Sequence, residues 1–175
     1  SSPVIANGYV YVSAGEDGGA GTGTFLQLNA SNVSQLIAIG ATGDTSSTPI
    51  VTDVYVYVVG KDPSNNFLYQ LNASNITKEI NTFQFQVAGI SIGSPALSGE
   101  YVYVANATGS TNDALLQVNA TNVSILVASY TTGGDVRSSP TVNGEYVYFG
   151  SDDDQVYQLN ASNISLLIGN FTTTG

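Results

Sequence analysis

The sequence predicts an all-β chain of four units, each a set of four antiparallel strands, and three observations predict it. A Pro is followed six residues later by an aromatic and β-branched run four times over: Pro3 with Tyr9-Val10-Tyr11-Val12, Pro49 with Tyr55 to Val58, Pro95 with Tyr101 to Val104, and Pro140 with Tyr146-Val147-Tyr148-Phe149. The copies begin 46, 46 and 45 residues apart. Each closes on a second signature, Leu28-Asn29-Ala30-Ser31-Asn32, Leu71 to Asn75, Val118-Asn119-Ala120-Thr121-Asn122, and Leu159 to Asn163. Between these, apolar residues alternate with period two and are punctuated by Gly, Asn and Ser, which is strand-and-turn chemistry. A Tyr- and Val-rich period in the mid-forties is the sign of β-propeller-type blades. Their expected bounds are 1–45, 46–92, 93–137 and 138–175, forming one repeat domain whose core is shared between neighbours.

The fourth unit is the shortest, and its elements follow in order. Ser139 to Val142 is a first strand, Asn143-Gly144-Glu145 a turn, and Tyr146 to Gly150 a second strand with Tyr on one face and Val or Phe on the other. Ser151 to Asp154 is an acidic turn, Gln155 to Leu159 a third strand, Asn160 to Asn163 a turn, and Leu166 to Thr172 a fourth strand. Asn-Gly at 143–144, and again at 7–8, is a strong hairpin signal. Insertions should fall at turns, and they do. The distance from the aromatic run to the signature Asn is 17, 14, 15 and 11 residues, while the Pro-to-Tyr gap never changes. In such a meander the Asn-Gly and Asn-Ala-Ser/Thr-Asn turns collect at one end. The variable loops bearing Glu16, Asp17, Asp62, Asp113 and Asp152 to Asp154 collect at the other. The run Gly18-Gly19-Ala20-Gly21 lacks the Lys-Ser/Thr of a phosphate cradle and reads as a loop.

Composition excludes several functions. Thirteen acidic against three basic residues give a net charge of −10, which repels phosphate backbones and anionic membranes. Cys and His are both absent, which removes thiolate nucleophiles, Cys-based zinc sites and Ser-His triads. No stretch approaches the ~18 apolar residues of a membrane-crossing helix, and the chain reads as a processed or excised segment. Charged residues are only 9% of the chain, so another hydrophilic coat is expected at its surface.

Ser138-Ser139-Pro140-Thr141-Val142, Tyr146-Val147-Tyr148-Phe149-Gly150-Ser151-Asp152-Asp153 and Val156-Tyr157-Gln158-Leu159-Asn160 together resemble the pyrroloquinoline-quinone-type (quinoprotein-like) propeller repeat. The resemblance runs through all four copies and implies blade architecture. Cofactor-using members of that family have Trp docking residues and an acidic catalytic and calcium-ligating set. The chain has no Trp, so the resemblance implies the non-catalytic, secreted or surface type, with no cofactor.

Asn29, Asn32, Asn72, Asn75, Asn106, Asn119, Asn122, Asn160, Asn163 and Asn170 each begin an Asn-x-Ser/Thr triplet, 10 of 16 asparagines, where chance gives about 3. The triplets read either as turns closed by Asn and Ser side chains or as N-glycosylation sites of a secreted protein. A structural turn requires one Asn, whereas both Asn of each signature keep a Ser or Thr two residues on, which favours glycosylation. Asp152-Asp153-Asp154 has hard-oxygen ligands but no calcium-loop spacing and is expected to be a solvated turn. Glu16, Glu100 or Glu145 with a turn Asp could supply a glycosidase pair, but nothing selects one, and no enzyme is expected. The Tyr stripes are expected to pack between blades.

The function expected is a structural subunit of an extracellular or cell-surface filament or layer, non-enzymatic, bearing covalent N-glycans and without metal, nucleic acid or membrane insertion. The alternative is an extracellular binding or scaffold propeller that recognises a partner through its acidic loops. Joining Gly175 to a following Ser1 would place the next Pro 18 residues after Asn160, close to the internal 20, 23 and 21. Head-to-tail self-association is therefore expected.

Overall fold

The computed structural model describes residues 1–14, 23–43, 45, 47–61, 65–85, 93–107 and 113–173. Its sixteen strands form four antiparallel sheets of four, each a meander in chain order, and no helix occurs among the described residues. The first sheet holds β1 (Val4–Ala6), β2 (Tyr9–Ala14), β3 (Thr24–Asn29) and β4 (Asn32–Gly40). The second holds β5 (Ile50–Val51), β6 (Tyr55–Lys61), β7 (Asn66–Asn72) and β8 (Asn75–Gln84). The third holds β9 (Ala96–Ser98), β10 (Tyr101–Asn106), β11 (Ala114–Asn119) and β12 (Leu126–Thr131). The fourth holds β13 (Thr141–Asn143), β14 (Tyr146–Ser151), β15 (Gln155–Asn160) and β16 (Asn163–Thr172).

The expected elements are all present, with shifted ends. β13 starts at Thr141 rather than Ser139, because Pro140 has no N–H for the ladder and Ser138 is held instead by side-chain bonds to Gly150. β16 starts at Asn163, three residues earlier than expected, since Asn160 pairs directly with Asn163 and the surplus is taken up by register shifts beside Leu159. β12 starts late because bonds from Asn119 to Ile125 and from Ile125 to Asn122 hold the preceding residues in a turn.

Turn chemistry sets the hairpins. Asn7 and Gly8 both have positive φ (54° and 78°), the pattern of a type I′ turn between Ala6 and Tyr9. In the fourth sheet Asn143 pairs with Tyr146, so the turn proper is Gly144-Glu145 with only Gly144 at positive φ (60°), the II′ pattern. The first and third turns lie at the same end of each sheet, as expected. Ala30, Ala73, Ala120 and Ala161 donate backbone bonds to Gly8, Val54, Glu100 and Glu145 at 2.8–3.0 Å.

The chain divides into two compact units, Ser1–Gln86 and Val87–Gly175, each a pair of sheets. In the first unit Tyr11 and Phe25 of the first sheet pack on Val56, Val58, Tyr69 and Leu71 of the second. In the second, Tyr103, Ala105 and Leu115 pack on Val147, Phe149, Tyr157 and Leu159. The same face is used each time: the Tyr face of the earlier sheet meets the Val face of the later one. Burying each of the Val, Leu and Phe side chains among these contributes about 1.5–3 kcal/mol.

Candidate functional site

The signature turns are built by the asparagines themselves. Asn29 Oδ1 accepts from the Ser31 amide (2.9 Å) and hydroxyl (2.7 Å), and Asn32 Oδ1 from those of Ser34 (3.1 and 2.7 Å). The same two bonds recur from Ser74 to Asn72, Thr77 to Asn75, Thr121 to Asn119 and Ser124 to Asn122. Ser162 and Ser165 donate their amides to Asn160 and Asn163. Both asparagines of each signature thus close an Asx-turn, and in the first three signatures the hydroxyl two residues on has a structural use at both. The doubling of the triplet, which favoured glycosylation, is explained by turn geometry as well.

The two roles use different atoms. Turn closure engages Oδ1, whereas a glycan attaches at Nδ2. Among the described residues no protein group accepts from Nδ2 of Asn32, Asn72, Asn75, Asn119, Asn122, Asn160 or Asn163. Asn29 Nδ2 donates to Gln35 and Asn170 Nδ2 to Gln155. Asn32, Asn163 and Asn170 are exposed, the other turn asparagines half-buried, and Asn106 is 8% exposed. Beside the turns, the outer strands expose large apolar residues: Leu36, Ile37 and Ile39 on β4, and Leu166, Leu167, Ile168 and Phe171 on β16.

The turn Ala is the second functional element, because its carbonyl receives the neighbouring sheet. Tyr11 Oη donates to the Ala73 carbonyl at 2.6 Å and Gln27 Nε2 to the same oxygen at 2.9 Å, while Gln27 Oε1 accepts from the Ile76 amide at 3.4 Å. The second unit repeats this arrangement. Tyr103 Oη and Gln117 Nε2 converge on Ala161 at 2.5 and 2.9 Å, and the Ile164 amide donates to Gln117 at 3.4 Å. Tyr and Gln act together because they are cross-strand partners, Tyr11 with Gln27 and Tyr103 with Gln117. Both glutamines are fully buried, and burial pushes the Tyr103 phenol up to about 12, only partly offset by its bond to Gln117. The Tyr stripes were expected to pack between blades, but their hydrogen-bonding partner was missed. Its signal was Gln27, Gln70, Gln117 and Gln158, each two residues before the signature Asn and each set between apolar neighbours in its third strand.

The fourth sheet carries the same pair, Tyr148 opposite Gln158. Here both are only half-buried, and Gln158 Nε2 donates at 3.4 Å to Tyr148 Oη. They border a shallow depression with Val156, Gly169, Asn170 and Phe171. At the first sheet's signature turn, Ala30 is half-buried and Val33 is 62% exposed, whereas Ile76 and Ile164, the matching residues, are 1% and 0%.

Of the described acidic-loop residues, Asp113 is buried and Asp153 half-buried, whereas Asp152 and Asp154 are exposed. Arg137 joins Asp135 and Asp152. Asp153 accepts from the Gly133 amide (2.8 Å) and from Tyr157 Oη (2.6 Å). Burial pushes the Asp153 carboxyl up, but these bonds outweigh it and hold it below its ordinary value. Asp113 is 2% exposed. Glu16, Asp17, Asp62 and the 18–21 run lie outside the described residues. Glu100 and Glu145 both border a small depression between the third and fourth sheets.

No known family profile matches the chain, and no curated protein matches its sequence. Its similarity is to solved propellers. BamB from Moraxella catarrhalis aligns with a TM-score of 0.69 at 13% identity over 98% of this chain and 47% of its own. Quinohemoprotein alcohol dehydrogenase from Comamonas testosteroni gives 0.75 at 14%, over 98% and 34%. The computationally designed Ika4 protein gives 0.68 at 14%, over 90% and 88%. The chain thus spans about half of BamB. At these identities the likeness establishes the β-propeller fold, and the fold alone.

Proposed function

We propose that this chain is a non-enzymatic, N-glycosylated extracellular module that serves as a structural subunit of a surface filament or layer and associates head to tail with its own kind. The observation that carries the reading is the turn array: paired asparagines at one end of every sheet, their Oδ1 atoms engaged in the turn and most of their Nδ2 atoms without a protein partner among the described residues. Glycans there would stand beside the apolar outer strands and supply the hydrophilic surface that 9% charged residues do not.

The alternative, partner recognition through the acidic loops, is less favoured because Asp113, Asp135 and Asp153 are spent on internal contacts. Peptide mapping of native material, with electron microscopy of the same sample, tests the proposal. Hexose-bearing peptides spanning Asn32, Asn75, Asn122 and Asn163 within a polymer are expected. Unmodified asparagines on discrete particles would refute it.

A further inference from the structure

We propose that Tyr148 and Gln158 are the donor half of an intermolecular clamp whose acceptor half is the first sheet's signature turn, the Ala30 carbonyl and Val33 amide, in a second copy of this chain. The inference rests on the head-to-tail reading above and names the surface that performs it.

The donor half is already built. Tyr148 and Gln158 are cross-strand partners in the register of Tyr11 with Gln27 and Tyr103 with Gln117, both of which close on a turn Ala carbonyl. In the closed cases a single carbonyl takes both donors, and the glutamine oxygen takes the amide three residues further on. Among the described residues the Gln158 side chain has only the 3.4 Å bond to its own Tyr148. Val156, which occupies the place of the buried Phe25 and Leu115, is 42% exposed.

The acceptor half is equally complete. Among the described residues no side chain donates to the Ala30 carbonyl or accepts from the Val33 amide. Val33 is the apolar residue that, as Ile76 and Ile164, lies buried beneath the closed clamp. The surrounding face carries Val12, Leu26 and Leu28, all half-buried, where the second sheet buries Val58, Tyr69 and Leu71.

The occupant is a second copy because each half matches the other in register, hydrogen-bonding sense and apolar rim, as seen in both units. Donor and acceptor lie on different sheets, so the contact is heterologous and builds a polar chain rather than a symmetric pair.

Two variants separate the halves: Tyr148→Phe with Gln158→Leu on one face, and Val33→Asp on the other. Each replaces half-buried or exposed groups, so thermal unfolding of each should match the parent. Sedimentation of the intact glycoprotein should show the concentration needed for polymer rising on the order of tenfold in either variant. Mixing the two should give dimers that do not extend, since one intact donor face meets one intact acceptor face. A Val33→Cys, Gln158→Cys form, in a chain with no other cysteine, should yield an oxidised ladder of oligomers. Polymer at the parental concentration from both variants would overturn the clamp while leaving the filament reading intact. A parent chain that stays monomeric, or a crosslink formed only within one chain, would overturn both.

Discussion

The buried clamp of the second unit makes a quantitative prediction. Tyr103→Phe removes one of two donors to the Ala161 carbonyl and leaves Gln117 in place at 2.9 Å, so the carbonyl stays satisfied and the loss should be about 1 kcal/mol. Gln117→Leu keeps most of the volume and leaves Tyr103 on the carbonyl, but it strands the Ile164 amide, whose residue is fully buried. An orphaned buried donor costs about 1–3 kcal/mol. The double variant leaves the Ala161 carbonyl with neither side-chain donor, a penalty that neither single variant carries. Its destabilisation should therefore exceed the sum of the singles by about 1 kcal/mol or more. Urea unfolding of the four proteins, fitted for midpoint and slope, reads this directly. Repeating the cycle at Tyr11 and Gln27 should give the same coupling, because the partners and distances match. Additive losses at both sites would show that the two donors do not share the carbonyl energetically, and the clamp would reduce to packing.

Burial pushes the Tyr57 and Tyr103 phenols up to about 12 and raises Tyr11 as well. The folded state thus favours the neutral phenol, and stability should be full below pH 10 and fall as pH climbs towards 12. The slope is about 1.4 kcal/mol per pH unit for each such tyrosine; a urea midpoint unchanged between pH 9.5 and 11.5 would contradict this. At Gly60 an added Cβ would lie 2.2 Å from the Thr42 carbonyl oxygen, whereas at Gly169 it meets nothing within 4 Å. Gly60→Ala should cost about 1–3 kcal/mol or more, and Gly169→Ala less than about 0.5 kcal/mol, in paired thermal melts. Equal melting temperatures for the two would show that the segment facing Gly60 yields freely.

Strand content was legible because the inner strands are rich in Tyr, Val, Leu and Phe and are bounded by turn residues, so propensity and punctuation point the same way. The constant Pro-to-Tyr gap likewise anchored the first hairpins. Outer strands were harder to place. Leu166-Leu167-Ile168 is continuous rather than alternating, and the bulge beside Leu159 moves the start of β16 back to Asn163. The clamp was half legible: Tyr103 and its equivalents stood out as aromatics, while Gln117 did not, because a lone Gln in an apolar strand signals nothing until its cross-strand partner and the facing carbonyl are known. The second Asn of each signature was misjudged for a related reason. Its Asx-turn depends on Ser34, Thr77 or Ser124 lying within reach, which follows from backbone geometry and not from spacing alone.

A turn that needs Asn at one position and a hydroxyl two residues on writes a glycosylation triplet whether or not a sugar is ever attached. The number of triplets in the signatures therefore does not separate a coat from the turn, and the discriminating position is one where the turn makes no demand. Asn170 is that position. It lies within β16, its Oδ1 closes no turn, and its triplet hydroxyl, Thr172 Oγ1, is 2.9 Å from Gln155 Nε2 and 3.3 Å from its Oε1. Next to it Phe171 is 69% exposed, on the strand where Leu166, Leu167 and Ile168 also face solvent. A glycan on Asn170 would stand beside the largest exposed apolar side chain of the fourth sheet, where a hydrophilic cover does most for solubility. Turn closure cannot account for modification there, so a sugar on Asn170 in native material would make the coat a property of the surface rather than a by-product of the turns. An unmodified Asn170 beside unmodified signatures would leave the Asx-turns as the whole explanation of the repeat.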